Sequence, residues 1–194
     1  MLTSLAVSII SNGQTKKPAT DYLSVPGPIV FQSRSYILNW SSHPTNNLYK
    51  QEYIVKGDPE EKYGTMILID LIPSEPDIKK VVAAKIAEIK KIKEGNPVVN
   101  YESFDNPKAG EYMIDFLLTA NSPDGKVIDI VERNVYRYKA FTYKSGRKGV
   151  LLFGVSTRSY GNDIDKFFAT LKTNRKDLIN EVSKFKIPDI AIAK

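Results

Sequence analysis

The sequence predicts an α+β fold: a single, largely antiparallel sheet of about six strands with amphipathic helices packed on it. Short segments rich in Val, Ile, Tyr and Phe recur from Ile29 to Arg158, separated by turns of Gly, Pro, Asn and Asp. Two stretches, beginning near Pro76 and Gly161, instead repeat apolar residues at the 3.6-residue spacing of a helix. The resulting order of strands, helix, strands, helix is not the regular alternation that builds a parallel doubly wound sheet. At 194 residues, with 42% hydrophobic and 26% charged residues, the chain fits one domain. We divide it into an N-terminal segment (1–28), a domain (29–186) and a tail (187–194).

The elements follow in order. Leu2 to Ile10 is a short apolar run, and Ser11-Asn12-Gly13 places small residues at the spacing signal peptidase accepts, although no Lys or Arg precedes Lys16. An export signal would place the protein in a periplasm or outside the cell; an ordinary buried segment would leave it cytoplasmic. The absence of cysteine excludes disulfides, zinc-thiolate sites and cysteine nucleophiles without fixing the compartment. Residues 14–28 read as an irregular linker punctuated by Pro18, Pro26 and Pro28. Ile29–Phe31 and Tyr36–Trp40 are short strands, and 41–47 a loop. Tyr49–Val55 alternates as a strand. Met66–Ile72 is apolar except for Asp70, the pattern of a strand covered on both faces.

The first helix takes Ser74 as its cap and Pro76 in its first turn, with Asp77 completing a capping box. Ile78, Val81, Val82, Ile86, Ile89 and Ile92 form its stripe, and Gly95 and Pro97 end it. Val98–Phe104 and Tyr112–Thr119 are further strands. The second helix starts at Gly161-Asn162-Asp163, carries Ile164, Phe167, Phe168, Leu171, Leu178, Ile179 and Val182, and is stopped by Pro188. The last six residues are expected to be loose.

Between Lys126 and Arg158 lies a long hairpin with Ser145-Gly146-Arg147-Lys148 at its turn. It carries eight basic and two acidic residues, a net charge of +6 that equals that of the whole chain. If Gly146-Arg147 form a two-residue turn, Tyr136 faces Thr157, Tyr138 faces Val155 and Ala140 faces Phe153, an apolar and aromatic core face. The opposite face then gathers Arg133, Arg137 and Arg158, with Lys139 beside them. Like charges this close need neutralising. Asp115, Asp129 or Asp70 on neighbouring strands would do so internally; a phosphate, a carboxylate or an acidic protein surface would do so from outside. A one-residue slip of register disperses the cluster.

This layout resembles the PsbP-like superfamily, which includes the extrinsic photosystem II protein and the Ran-release factors of nuclear import. The pieces that carry the resemblance are the Tyr49 to Gly57 strand ending at a glycine, the Pro76 to Gly95 helix, and the GVLLFGVS strand before the final helix, over about residues 29 to 186. It implies a PsbP-like sandwich and a docking or assembly role rather than catalysis, and it transfers no site residue. The chain also resembles exported bacterial proteins.

Other constellations are weaker. His43, the only histidine, stands near Ser41, Ser42, Glu52 and Asp70, but no G-x-S-x-G elbow is present and a His-Pro loop suits turn capping. Trp40, His43, Tyr49 and Tyr53 would line a small pocket at one sheet edge. The acidic runs at Asp58–Glu61 and Asp163–Asp165 lack EF-hand spacing. A pI near 9.3 and Tyr136, Tyr138, Phe141 and Tyr143 superficially suit nucleic acid, but the tyrosines alternate as core residues do. The expectation is an exported, periplasmic or secreted, non-enzymatic binding or assembly domain without cofactor or metal. It docks to an acidic protein, an envelope complex or an anionic ligand through the basic sheet face. The alternative is a small hydrolase-like enzyme using His43 with Glu52 or Asp70.

Overall fold

Among the described residues all the strand-like segments pair, and they pair in one sheet. The structure, a computed structural model, describes residues 18–73, 77–142, 146 and 148–192. Its strands are β1 (Ile29–Phe31), β2 (Arg34–Thr45), β3 (Leu48–Val55), β4 (Thr65–Ile72), β5 (Asn100–Asn106), β6 (Glu111–Asn121), β7 (Ile128–Thr142) and β8 (Lys148–Tyr160); α1 (Ile78–Gly95) follows β4 and α2 (Ile164–Lys184) follows β8. The sheet order is β1-β2-β3-β4-β8-β7-β6-β5, every pairing antiparallel. Two four-stranded meanders therefore meet at the β4–β8 seam.

This corrects the expected α+β sandwich of about six strands: among the described residues the fold is a single eight-stranded antiparallel sheet that dominates two α-helices. Each strand answers to a segment expected to be extended, β5 (NYESFDN) to Val98–Phe104 although it is almost wholly exposed, so the shortfall lies in the expected total and not in a missing strand. The segment read as the 41–47 loop continues β2 to Thr45, through register irregularities after Leu38 and Ser42.

Central strands are apolar on both faces because both faces are covered. On one, Ile67, Ile69, Leu71, Val135, Phe153 and Val155 pack against Leu178 and Val182 of α2. On the other, Ile114, Phe116, Tyr138 and Leu152 pack against Val82 and Ile89 of α1. Asp77 caps α1 through its carboxylate and the Lys79 N–H, 2.9 Å. The expected cap Ser74 and the expected first-turn Pro76 lie outside the described residues, as do residues 1–17 with the apolar run and Lys16.

The linker and tail are both more integrated than expected. Leu23 and Val25 are buried in the α2-side core, where Gln51 accepts from the Leu23 N–H (2.9 Å) and the Tyr53 hydroxyl donates to the Val25 carbonyl (2.7 Å). The Ala191 N–H bonds the Leu23 carbonyl at 3.0 Å, and Ile187, Ile190 and Ile192 lie against the same core, so this stretch is not loose.

The central hairpin exists but in a different register. Thr142 pairs with Lys148, leaving five residues in the turn rather than two; Gly146 sits there at φ +82°, and Tyr143, Ser145 and Arg147 fall outside the described residues. Tyr136 faces Gly154 instead of Thr157, a slip of three. An odd slip exchanges the faces of one arm against the other. Gly154 is the seat for the Tyr136 ring: a Cβ there would stand 2.8 Å from Tyr136 Cδ1.

Candidate functional site

The change of register decides the fate of the basic patch. Arg133, Arg137 and Lys139 project on the α2 side of β7, whereas Arg158 pairs with Glu132 on the α1 side. The three guanidinium groups therefore do not share one patch. Each of the four cations also meets a carboxylate of the same chain. Arg133 donates to Asp115 through Nε (2.9 Å) and Nη2 (3.2 Å), and Arg137 to Glu111 through Nε (3.1 Å) and Nη2 (2.7 Å). Lys139 lies 3.5 Å from Glu111, and Arg158 donates to Glu132. Of the expected neutralising partners only Asp115 serves; Asp70 pairs with Lys50 at 3.8 Å.

The α2-side arginines do a second task. Arg133 Nη2 donates to the Arg175 carbonyl at 2.6 Å, beside Asn174, whose backbone (φ −114°, ψ 17°) breaks the helical path of α2. Arg137 Nη1 donates to the carbonyls of Val182 (3.4 Å) and Phe185 (2.9 Å) at the end of α2. Carbonyls at a helix C-terminus lack intrahelical partners, and the Arg137 guanidinium supplies them with charge-assisted donors. The basic face thus holds α2 on the sheet.

Arg158 belongs to a buried polar network under the 57–64 loop. The Tyr63 hydroxyl (3.0 Å) and Asn134 Nδ2 (2.9 Å) also donate to Glu132, and the Arg158 guanidinium lies 4.3 Å from the Tyr63 ring centre. On the same face Glu52 and Asp70 are half-buried, and the buried Asp70 Oδ1 has no hydrogen-bond partner among the described residues. Burial, opposed by Lys50, pushes the Glu52 carboxyl up to about 7 and that of Asp70 up to about 6. A raised carboxyl favours the protonated fold, so this stability is complete below the unfolded value and is lost as the pH rises through about 7. Glu52→Gln is therefore expected to raise stability at pH 8 by on the order of 1–2 kcal/mol, and to leave it nearly unchanged at pH 4. Urea denaturation at the two pH values checks this; equal shifts at both would refute it.

The expected aromatic pocket is divided between the faces. Trp40 pairs with Glu52 on the α1 side and is 38% exposed. Tyr49 and Tyr53 lie on the α2 side, and His43 stacks on Tyr49 at 3.9 Å with Nδ1 3.0 Å from the Leu48 carbonyl. The bulge after Leu38 produces this division. It also sets His43 on the opposite face from Glu52 and Asp70, so the geometry assembles no acid–base pair from them. Among the described residues, no three His, Asp or Glu side chains are grouped as metal ligands are.

What the sequence reading missed lies under the N-terminal half of α2. A cavity of about 420 Å³ opens there between the helix and β5–β6. Leu117, Phe168 and Leu171 supply apolar wall, and Asn100, Asp115, Lys172 and Arg175 its polar part. Asp115, with 3% of its side chain exposed, is shared by Arg133 and by Arg175 Nε at 2.7 Å. Arg175 also reaches Glu102 at 3.1 Å. Lys172 is exposed and has no ion-pair partner among the described residues. The signal that marks the site is the spacing 168, 171, 172, 175, one stripe of a helix that is apolar at its start and cationic at its end.

No helix among the described residues is long and apolar enough to cross a membrane. No curated protein matches the chain. A protein-family model matches residues 23–187, a span that begins at the buried Leu23 and ends just beyond α2. The chain belongs to the protein family that this model describes.

Proposed function

We propose that the protein is a non-enzymatic binding domain for an anionic ligand, held at the mouth of the cavity between α2 and β5–β6. The observation that carries the reading is a cationic rim over a preformed space of about 420 Å³. Around Asp115 and Glu102 stand Arg133, Arg175 and Lys172, so the cations exceed the carboxylates by one. Arg133 and Arg175 are fixed by their shared carboxylate. Lys172 is the flexible, hydrated cation that remains for a guest. The other cations expected to bind an anion are already held, Arg137 and Lys139 by Glu111 and Arg158 by Glu132.

The test is calorimetric titration of the full chain with succinate, benzoate and octanoate, each beside its uncharged amide. At least one anion is expected to bind more tightly than its amide, and Lys172→Glu is expected to weaken it about tenfold, the factor that 1.4 kcal/mol of lost charge–charge attraction produces. If none of the anions binds, or if Lys172→Glu changes nothing, the reading fails.

A further inference from the structure

We propose that the ligand of this cavity is a single-chain amphiphile, an unbranched aliphatic carboxylate whose tail lies along Leu117, Phe168 and Leu171 and whose head meets Lys172; this rests on the anionic-ligand reading. The argument begins with burial along α2. Ile164, Leu178 and Val182 are buried in the sheet, yet Phe167, Phe168 and Leu171 between them are only half-buried. Apolar side chains of this size at core spacing normally contact other side chains on most of their surface. Here Phe168 and Leu171 line open space.

The space persists because the helix cannot settle onto it. Asn174 interrupts α2, and the ion pairs Arg133–Asp115–Arg175, together with the bond from Arg133 to the Arg175 carbonyl, pin the chain at the kink. Closing the gap would require breaking that buried network. A volume of about 420 Å³ lies within the range of small-molecule sites, roughly 300–1,000 Å³. An inorganic or short polar anion would leave the apolar wall wet. An apolar chain covers it, and each methylene moved out of water adds affinity of roughly three- to fourfold. Phe168, Leu171 and Lys172 share one helical stripe and Arg175 follows just past the kink, so tail and head contacts follow each other along α2 in the order such a molecule needs.

The experiment is calorimetry of the full chain with butyrate, octanoate and dodecanoate below micelle-forming concentrations, with octanamide and succinate alongside. Affinity is expected to rise roughly three- to fourfold per methylene and then level off once the cavity is filled. Lys172→Glu should weaken every carboxylate by a similar factor. Leu171→Trp, which fills the cavity, should flatten the chain-length series. Phe168→Ala, which enlarges the cavity and serves if the first variant does not fold, should move the levelling-off to a longer chain. Succinate binding as tightly as octanoate, with no chain-length dependence, overturns this inference and leaves the anionic-ligand reading standing. No binding by any anion overturns both. A chain-length slope unchanged by Leu171→Trp and Phe168→Ala marks nonspecific uptake and overturns the inference. So does ligand-independent dimerisation abolished by Leu171→Trp, which would make a second copy the occupant.

Discussion

Asp115→Ala is expected to destabilise the fold by about 3–5 kcal/mol, the cost of removing one partner from a buried ion pair. The Asp115 side chain is 3% exposed and that of Arg133 is 7% exposed. Without the carboxylate, Arg133 keeps only the Arg175 carbonyl, which cannot balance its charge. Arg175, at 42% exposed, can turn to water and to Glu102, so most of the cost falls on Arg133. Asp115→Asn keeps the shape and one acceptor and should cost about half as much. The decisive measurement is a double-mutant cycle in urea. With Arg133→Met added to Asp115→Ala, stability should recover by about 2 kcal/mol or more, because two apolar side chains replace a desolvated pair. Additive losses would show that the two groups do not act on each other.

The network was only half legible in the sequence, and the residues show why. Alternating and continuous apolar runs revealed β3, β4 and β8, because a strand's burial is written in its own side chains. The 3.6-residue stripes revealed α1 and α2 for the same reason. Register was not written there. The arms of the β7–β8 hairpin are buried on both faces along most of their length, so sliding them by three residues moves no apolar face to solvent and no local pattern forbids it. The turn length decided it, and with it the separation of Arg158 from Arg133 and Arg137. Asp115 was a foreseeable partner because it lies mid-strand among apolar residues. Glu111 and Glu132 carry no such mark, since Glu111 opens its strand and Glu132 stands beside Arg133. The cavity was invisible for a different reason: Phe168 and Leu171 fit a core stripe, and their spacing does not reveal that they line open space.

Arg137→Ala should release the C-terminal end of α2 and cost about 3 kcal/mol. Glu111 is not the main reason, because Lys139 stays within 3.5 Å of it. The larger loss is at the carbonyls of Val182 and Phe185, which Arg137 holds while Phe185 stacks on Phe153 at 4.5 Å and meets Phe31 at 5.5 Å. Freed from the arginine, that end gives up both its donors and the packing they position. Arg137→Lys keeps the charge but cannot fork between Glu111 and two carbonyls, so it should recover less than half of the loss. Hydrogen exchange separates this from general destabilisation: protection should fall first at 182–187 and in the Ala191 amide beyond them, while α1 keeps its own. The acid limb supplies a second check. Burial by itself would raise the Glu111 carboxyl, yet its hydrogen bond with Arg137 and the charges of Arg137 and Lys139 hold it below the usual carboxylate range. A depressed carboxylate stabilises the fold above its unfolded value and loses that contribution as the pH falls through the folded one. Arg137→Ala should therefore flatten the fall in stability below about pH 4.5 as well as lower stability at neutral pH. A variant that loses neutral-pH stability with its acid limb unchanged would assign Arg137 to α2 alone, and uniform loss of exchange protection through both helices would take that role away as well.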